Sequence, residues 1–202
     1  MKSFVSFMDA GNFYHVYNRG INKQPIFFEE ENYFYFLKQF KKYVSPFADV
    51  FAYSLLPNHF HLFIRVKEFP VEPKSKIKLK PVEKAFKDFF ISYAKSINKR
   101  YKRTGALFQY KFKRKEVTDI AHYTWLVYYI HLNLVKARLC SSFNEWKFSS
   151  YSSLISNRPT ILLRHELLEW FSNKETFIEF HESNLKELYA TRQRLQKSSR
   201  LL

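Results

Sequence analysis

The 202-residue chain is poor in cysteine, in long apolar runs and in acidic residues, and each shortage removes a class of protein. A single cysteine, Cys140, excludes an intramolecular disulfide and a cysteine-based zinc site, and suits a reducing cytoplasm. The first residues, Met1-Lys2-Ser3-Phe4-Val5, lack the apolar run of a signal peptide. No stretch approaches the roughly 20 apolar residues that span a bilayer, so a soluble cytoplasmic protein with no membrane association is expected. Internal repeats and low-complexity blocks are absent. Only 18 Asp and Glu stand against 34 Lys and Arg, a formal net charge of +16. That excess favours a polyanionic partner, nucleic acid first and an anionic membrane surface second. The apolar fraction of 46% and aromatic fraction of 20% are enough to fill a core, which excludes overall disorder.

The apolar pattern predicts alternating strands and helices. Tyr14 to Asn18 reads as a first strand closed by the Arg19-Gly20 turn. Glu29 to Val44 reads as a helix, with Tyr33, Phe36, Leu37, Phe40 and Val44 on one stripe and Ser45-Pro46 as its end. Val50–Leu56 and His59–Val66 are β-prone runs around Pro57-Asn58, a hairpin signal. Lys67 to Lys80, rich in Lys, Pro and Glu, reads as an exposed loop. Pro81 to Lys102 reads as a second helix stopped by Thr104-Gly105, and Ala106 to Val117 as a fourth strand. Thr118-Asp119 caps a third helix running to about Leu139, with Ile120, Tyr123, Val127, Ile130 and Leu134 as its core stripe. Two short helical stretches follow, Glu166–Trp170 and Lys174–Phe180, and then a basic, amphipathic or frayed tail from about Lys186. The order β-α-β-β-α-β-α predicts an α+β fold: a ferredoxin-like antiparallel sheet with helices on one face. Residues 10–155 would form the main domain and 156–202 a basic C-terminal helical extension.

Four residues could carry chemistry. Side chains alternate along a strand, so His59 and His61 share a face while Phe60 points into the core. Two adjacent imidazoles are natural ligands for a divalent metal, although an isolated His-x-His is more often two ordinary strand histidines. The pattern needs a third ligand. Tyr129 and Asn133 lie one helical turn apart on one face, and an Asn amide oxygen could complete the set. A metal so held would activate a scissile phosphate, and Tyr129 would supply the nucleophile. Phenols ionise near ~10, so such an attack needs assistance. With 14 tyrosines in the chain and Tyr128 adjacent, a packing role for Tyr129 is the competing reading.

From Lys95 to Lys115 the chain carries nine Lys or Arg and no acid, interleaved with Tyr101, Phe108, Tyr110 and Phe112. Cations neutralise phosphates and aromatic faces stack on unpaired bases. A solvated charged face is the plainer alternative. The expected nucleic-acid contacts are Arg19, Lys99, Arg100, Lys102, Arg103, Tyr110, Lys111, Lys113, Arg114, Lys115 and Lys136.

Together these residues resemble the REP-associated tyrosine transposases and the wider single-tyrosine HUH transposase family. The likeness runs from about Phe13 to Tyr151. It is carried in order by Tyr14-His15-Val16-Tyr17-Asn18-Arg19-Gly20, Leu56-Pro57-Asn58-His59-Phe60-His61-Leu62, Gly105-Ala106-Leu107-Phe108-Gln109-Tyr110-Lys111-Phe112, Tyr129-Ile130-His131-Leu132-Asn133 and Trp146-Lys147-Phe148-Ser149-Ser150-Tyr151. The resemblance implies that His59 and His61 are the paired metal histidines, Tyr129 the catalytic tyrosine and Asn133 the third ligand. It further implies Mg²⁺ or Mn²⁺ as cofactor, single-stranded or hairpin DNA as substrate, and a 5′-phosphotyrosine intermediate. Strand transfer would follow from attack of a DNA 3′-hydroxyl on that link, by a monomer or a homodimer. The chain departs from the family in three places. Leu134 stands where proline usually follows the asparagine, and Arg138 where a glycine is common, changes expected to straighten the end of the third helix. Lys111 replaces a frequent arginine and is a less directional phosphate ligand. Two readings compete with the enzyme: a catalytically silent DNA- or RNA-binding protein on the same fold, and a metal-free RNA nuclease using histidine acid–base chemistry.

Overall fold

The computed structural model describes residues 7–68 and 80–198, the last seven of these as backbone only. Most of the loop expected over Lys67–Lys80 and the last four residues of the tail lie outside the described residues. Four strands form one sheet: β1 (Phe13–Arg19), β2 (Ala48–Leu56), β3 (His59–Val66) and β4 (Lys113–Val117). Six α-helices accompany it among the described residues: α1 (Glu30–Tyr43), α2 (Pro81–Arg100), α3 (Ile120–Lys136), α4 (Tyr151–Ile155), α5 (Arg164–Glu169) and α6 (Lys174–Ser198). The sheet order is β2-β3-β1-β4 and every pair is antiparallel, the expected α+β, ferredoxin-like arrangement.

Alternation assigns the two faces. Tyr14, Val16, Phe60, Leu62 and Ile64 are fully buried on one face, where Phe36 of α1 and Phe90 of α2 meet Phe60 at ring separations of 5.1 and 5.6 Å. Pro81 opens α2 at a position where its missing N–H costs no helical bond. The opposite face carries Phe13, His15, His59, His61 and Phe63, and α3 lies across it, with Tyr123 against Phe63 at 5.5 Å and Tyr129 against His61 at 5.7 Å. Helices therefore cover both faces rather than one. The reason is visible in β3, whose side chains from Phe60 to Ile64 are buried whichever way they point. A strand buried on both sides needs a layer on each.

Two element boundaries differ most from expectation, beside a third helix that ends at Lys136 and a short α4 that was not expected. Ala106 to Phe112 is an irregular loop and β4 begins at Lys113. Lys111 takes a left-handed φ of 59°, which breaks the strand geometry that the alternating Phe108, Tyr110 and Phe112 predict. At the other end, α6 is one continuous helix of 25 residues instead of a short piece and a tail. It packs on α3, with Phe180 against Trp125 at 5.2 Å, and Leu167, Phe171, Phe177 and Leu185 join the common core.

The sheet edges are treated differently. At β2 the chain returns to bond with the outer strand, through Leu55 N to Phe148 O, Ser150 N to Tyr53 O and Leu163 N to Val50 O. At β4, a five-residue strand, Lys113, Lys115 and Glu116 are exposed. Among the described residues no helix is long and apolar enough to cross a membrane.

Candidate active site

The middle of the α3-covered face opens into a cavity of about 470 Å³, bounded by β1, β3, α3 and the loop at Gln109. His59, His61, Tyr129 and Asn133 all line it, with Arg19 and Lys113 at its rim. The two histidines come from adjacent same-face positions on β3, their rings 5.3 Å apart and nearly perpendicular. Burial pushes the pKa of His59 down to about 4, with Arg19 adding to the effect. Burial, then His15, His59 and Arg19, push His61 to about 2. Both imidazoles are neutral at pH 7, the form that ligates metal.

A small backbone junction sets His59 beside Arg19. Gly20 N donates to Asn58 O at 2.8 Å and Ile21 N to Leu107 O at 3.0 Å, joining the end of β1, the hairpin turn and the 107 loop. A Cβ at Gly20 would lie 2.0 Å from the Gln24 carbonyl oxygen, so only glycine fits. Asn58 Nδ2 donates to Lys23 O at 3.1 Å, which turns its Oδ1 to accept from His59 Nδ1–H at 2.6 Å. His59 Nε2 is thereby left with its lone pair.

On α3, adjacent tyrosines have opposite environments. Tyr128 is 5% exposed and packs on Phe143, Phe180 and His181, whereas Tyr129 is 40% exposed and faces the histidines. The ammonium of Lys136 lies 5.8 Å from the Tyr129 ring centre. Asn133 Nδ2 donates to Tyr129 O at 2.7 Å, which leaves Oδ1 as the atom offered to a ligand. Of the expected core stripe, Val127, Ile130 and Leu134 are buried and Tyr123 is partly buried against the core, but Ile120 is 59% exposed at the first turn.

Deep to Tyr129, a buried polar relay fastens α3. His181 Nδ1–H donates to Phe177 O at 2.8 Å, so its Nε2 accepts from His131 Nδ1–H at 3.0 Å. His131 Nε2 in turn accepts from the Ser150 hydroxyl at 2.8 Å. Ser150 Oγ also accepts from Tyr53 N at 2.9 Å, so the relay ties α3 to α6 and to β2. Burial holds His131 well below its ordinary range and His181 at about 3.

The C-terminal end of α3 does not straighten. Arg138 adopts a left-handed φ of 59°, Arg138 N bonds Val135 O and Leu139 N bonds Leu134 O, both at 3.0 Å. This is a Schellman stop with arginine where glycine is usual; the carbonyl pairing wins over the strain at one residue.

The basic residues divide. Arg19 and Lys113 line the cavity, Lys136 stands by Tyr129, and Lys115 is exposed farther along β4. Tyr110 is 92% exposed on the neighbouring loop, with Lys111 5.6 Å from its ring. Lys99 and Lys102 are exposed at the end of α2. Arg100 pairs with Glu29, and Arg103 bonds Gln24 and lies over Phe28. Arg114 does not belong with this surface: its even register sends it to the opposite face, where it pairs with buried Glu83 at 2.7 Å. Sequence reasoning passed over His15, whose Nε2 is 2.9 Å from His61 Nδ1, and over Asn58 and Gln109. The alternation His15-x-Tyr17-x-Arg19 was the available signal for the first. Among the described residues no three His, Cys, Asp or Glu side chains are grouped to hold a metal. A metal here would need the Asn133 amide.

No protein-family model matches the sequence, and no curated protein does. Among solved structures, a REP-associated tyrosine transposase bound to a REP hairpin is similar over 79% of this chain and 89% of that one, with a TM-score of 0.59 and 14% identity. The chain thus shares the fold of that transposase.

Proposed function

We propose that this protein nicks and rejoins single-stranded or hairpin DNA, with Tyr129 as nucleophile and a divalent ion held by His59, His61 and Asn133. The observation that carries the reading is an open cavity that a half-exposed tyrosine shares with two neutral, hydrogen-bonded histidines and a cationic rim. The donors fit such an ion: two imidazole nitrogens and an amide oxygen, with room for water and a phosphate oxygen. Two neutral nitrogens suit Mn²⁺ better than Mg²⁺. When bound, the ion would polarise the scissile phosphate as a Lewis acid.

The protein's own groups do the rest. Arg19 and Lys113 neutralise phosphates entering the cavity, and Tyr110 offers a face on which an unpaired base can stack. Tyr129 Oη forms a bond to phosphorus as the bond to the 3′-oxygen breaks, and the phenolic proton passes through solvent to that departing oxygen. The DNA leaves with a free 3′-hydroxyl, and its 5′-phosphate stays on the tyrosine. Attack by a 3′-hydroxyl on that phosphotyrosine reverses the exchange without external energy. The buried relay through His131 and His181 supports a site in which tyrosine and histidines belong to one chain. The similar structure's hairpin makes a hairpin the first substrate to try.

The test is a denaturant-resistant adduct between the protein and end-labelled hairpin DNA, with Mn²⁺ or EDTA. A 5′-linked adduct that requires the metal and disappears in Tyr129→Phe is expected. Tight binding without an adduct over a broad pool of hairpins would overturn the catalytic reading and leave a DNA-binding protein.

A further inference from the structure

We propose that His15 is a positioning residue: it accepts a hydrogen bond from His61 Nδ1–H and so keeps the His61 Nε2 lone pair directed at the cavity. The inference rests on the metal-dependent reading above for its purpose, but its geometry stands alone. His15 Nε2 and His61 Nδ1 are 2.9 Å apart. The ring centres are 5.1 Å apart with 20° between planes, the edge-to-edge arrangement of a nearly in-plane N–H···N bond. The two residues are diagonal neighbours on one sheet face, since Tyr17 is the residue directly opposite His61 and Phe63 the one opposite His15. His15 is 9% exposed, and its other side leans on the Tyr17 ring at 4.7 Å and 27°. It is held on both sides.

A bond between two neutral imidazoles has two proton arrangements, and they differ at the cavity. If His15 donated, His61 would carry its proton on Nε2 and could not ligate anything there. If His61 donates, Nε2 is bare. The charged groups at the cavity rim favour one of them. Arg19 and Lys113 can only donate hydrogen bonds, so a lone pair at His61 Nε2 is the arrangement they favour. His59 has the same pattern, its Nδ1–H accepted by Asn58 and its Nε2 bare. Two different acceptors, an amide and an imidazole, thus give the two histidines one tautomer. Ligating histidines ordinarily have their second nitrogen fixed by a carboxylate or carbonyl; here another histidine takes that place.

The tautomer can be read directly by ¹⁵N–¹H correlation NMR of the metal-free protein, with His15→Leu, His15→Gln and His61→Ala assigned alongside. Wild type is expected to show His61 protonated on Nδ1. His15→Leu should mix or reverse that tautomer and weaken Mn²⁺ binding by roughly 10–100-fold. His15→Gln places an amide oxygen where the imidazole nitrogen stood, and should restore both. A His61 found protonated on Nε2 in wild type would overturn the assignment without any variant, so a His15→Leu that fails to fold does not protect it. A His15→Leu that changes neither tautomer nor Mn²⁺ affinity would overturn it as well. Mn²⁺ affinity unchanged in His61→Ala would instead sink the metal reading, while the tautomer would still decide the role of His15.

Discussion

Acid should unstick α3 from its anchor. His131 and His181 are buried and neutral in the fold, links in a relay whose direction follows from the Phe177 carbonyl, which can only accept. In the unfolded chain both regain an ordinary pKa near ~6.5. Between that value and their lower folded values the unfolded state binds more protons, so stability falls as pH falls. From pH 7 to 5.5 each neutral buried histidine loses about 1.2 kcal/mol, and the pair about 2.5 kcal/mol. His15, His59 and His61 are also depressed and add a slope of their own, so wild type alone does not isolate the relay. The double variant His131→Leu/His181→Leu does. Replacing both partners by apolar groups leaves Ser150 bonded to Tyr53, so the change at pH 7 should be small. Urea denaturation at the two pH values should then show a loss smaller than wild type's by about 2.5 kcal/mol. Equal losses in the two proteins would refute the neutral relay.

Other outcomes follow from individual positions. Arg138→Gly relieves a left-handed arginine strained by about 1–2 kcal/mol, offset by about 0.4–1 kcal/mol of unfolded-state entropy. A Tm rise of about 1–4 °C is expected by calorimetry, and a fall would mean the stop is not strained. Glu83→Leu/Arg114→Met should leave single-stranded DNA affinity and its salt dependence unchanged in fluorescence anisotropy, because that pair lies on the far face. Lys113→Ala should weaken binding and reduce the salt slope by about 1. Tyr110→Ala should raise the Kd for single-stranded DNA about tenfold with no change in Tm; equal affinity would remove stacking at that loop.

Elements with strong local patterns were legible from sequence. The hairpin around Pro57-Asn58, the two amphipathic helices and the Asp119 cap, whose carboxylate accepts from His122 N at 2.9 Å, lie where composition puts them. The pairing of His59 and His61 on one face needed only alternation. What could not be read depended on register and on left-handed residues. Nothing local says that β1 pairs with β3 so as to bring His15 diagonal to His61, or that Arg114 faces Glu83. The loop before β4 alternates like a strand, and only the left-handed Lys111 breaks it. The length of α6 depends on its packing against α3, a contact between distant parts of the chain. The exposure difference between Tyr128 and Tyr129 was likewise set by tertiary packing on Phe143 and Phe180.

The unequal edges of the sheet bear on how the protein behaves in a crowded, partly unfolded population. An open edge is a template for any passing strand and the starting point of ordered aggregates. Here one border is already occupied by the chain's own returning segments, and the other is short and studded with lysine. Charge repulsion at β4 does what hydrogen-bonded closure does in a barrel, but it depends on ionic strength and on those charges being kept. Neutralising Lys113 and Lys115 together would expose the border that, among the described residues, has no backbone cover from a returning segment. Fibrillar association under high salt would be the cost of losing a charge whose other use is at the cavity.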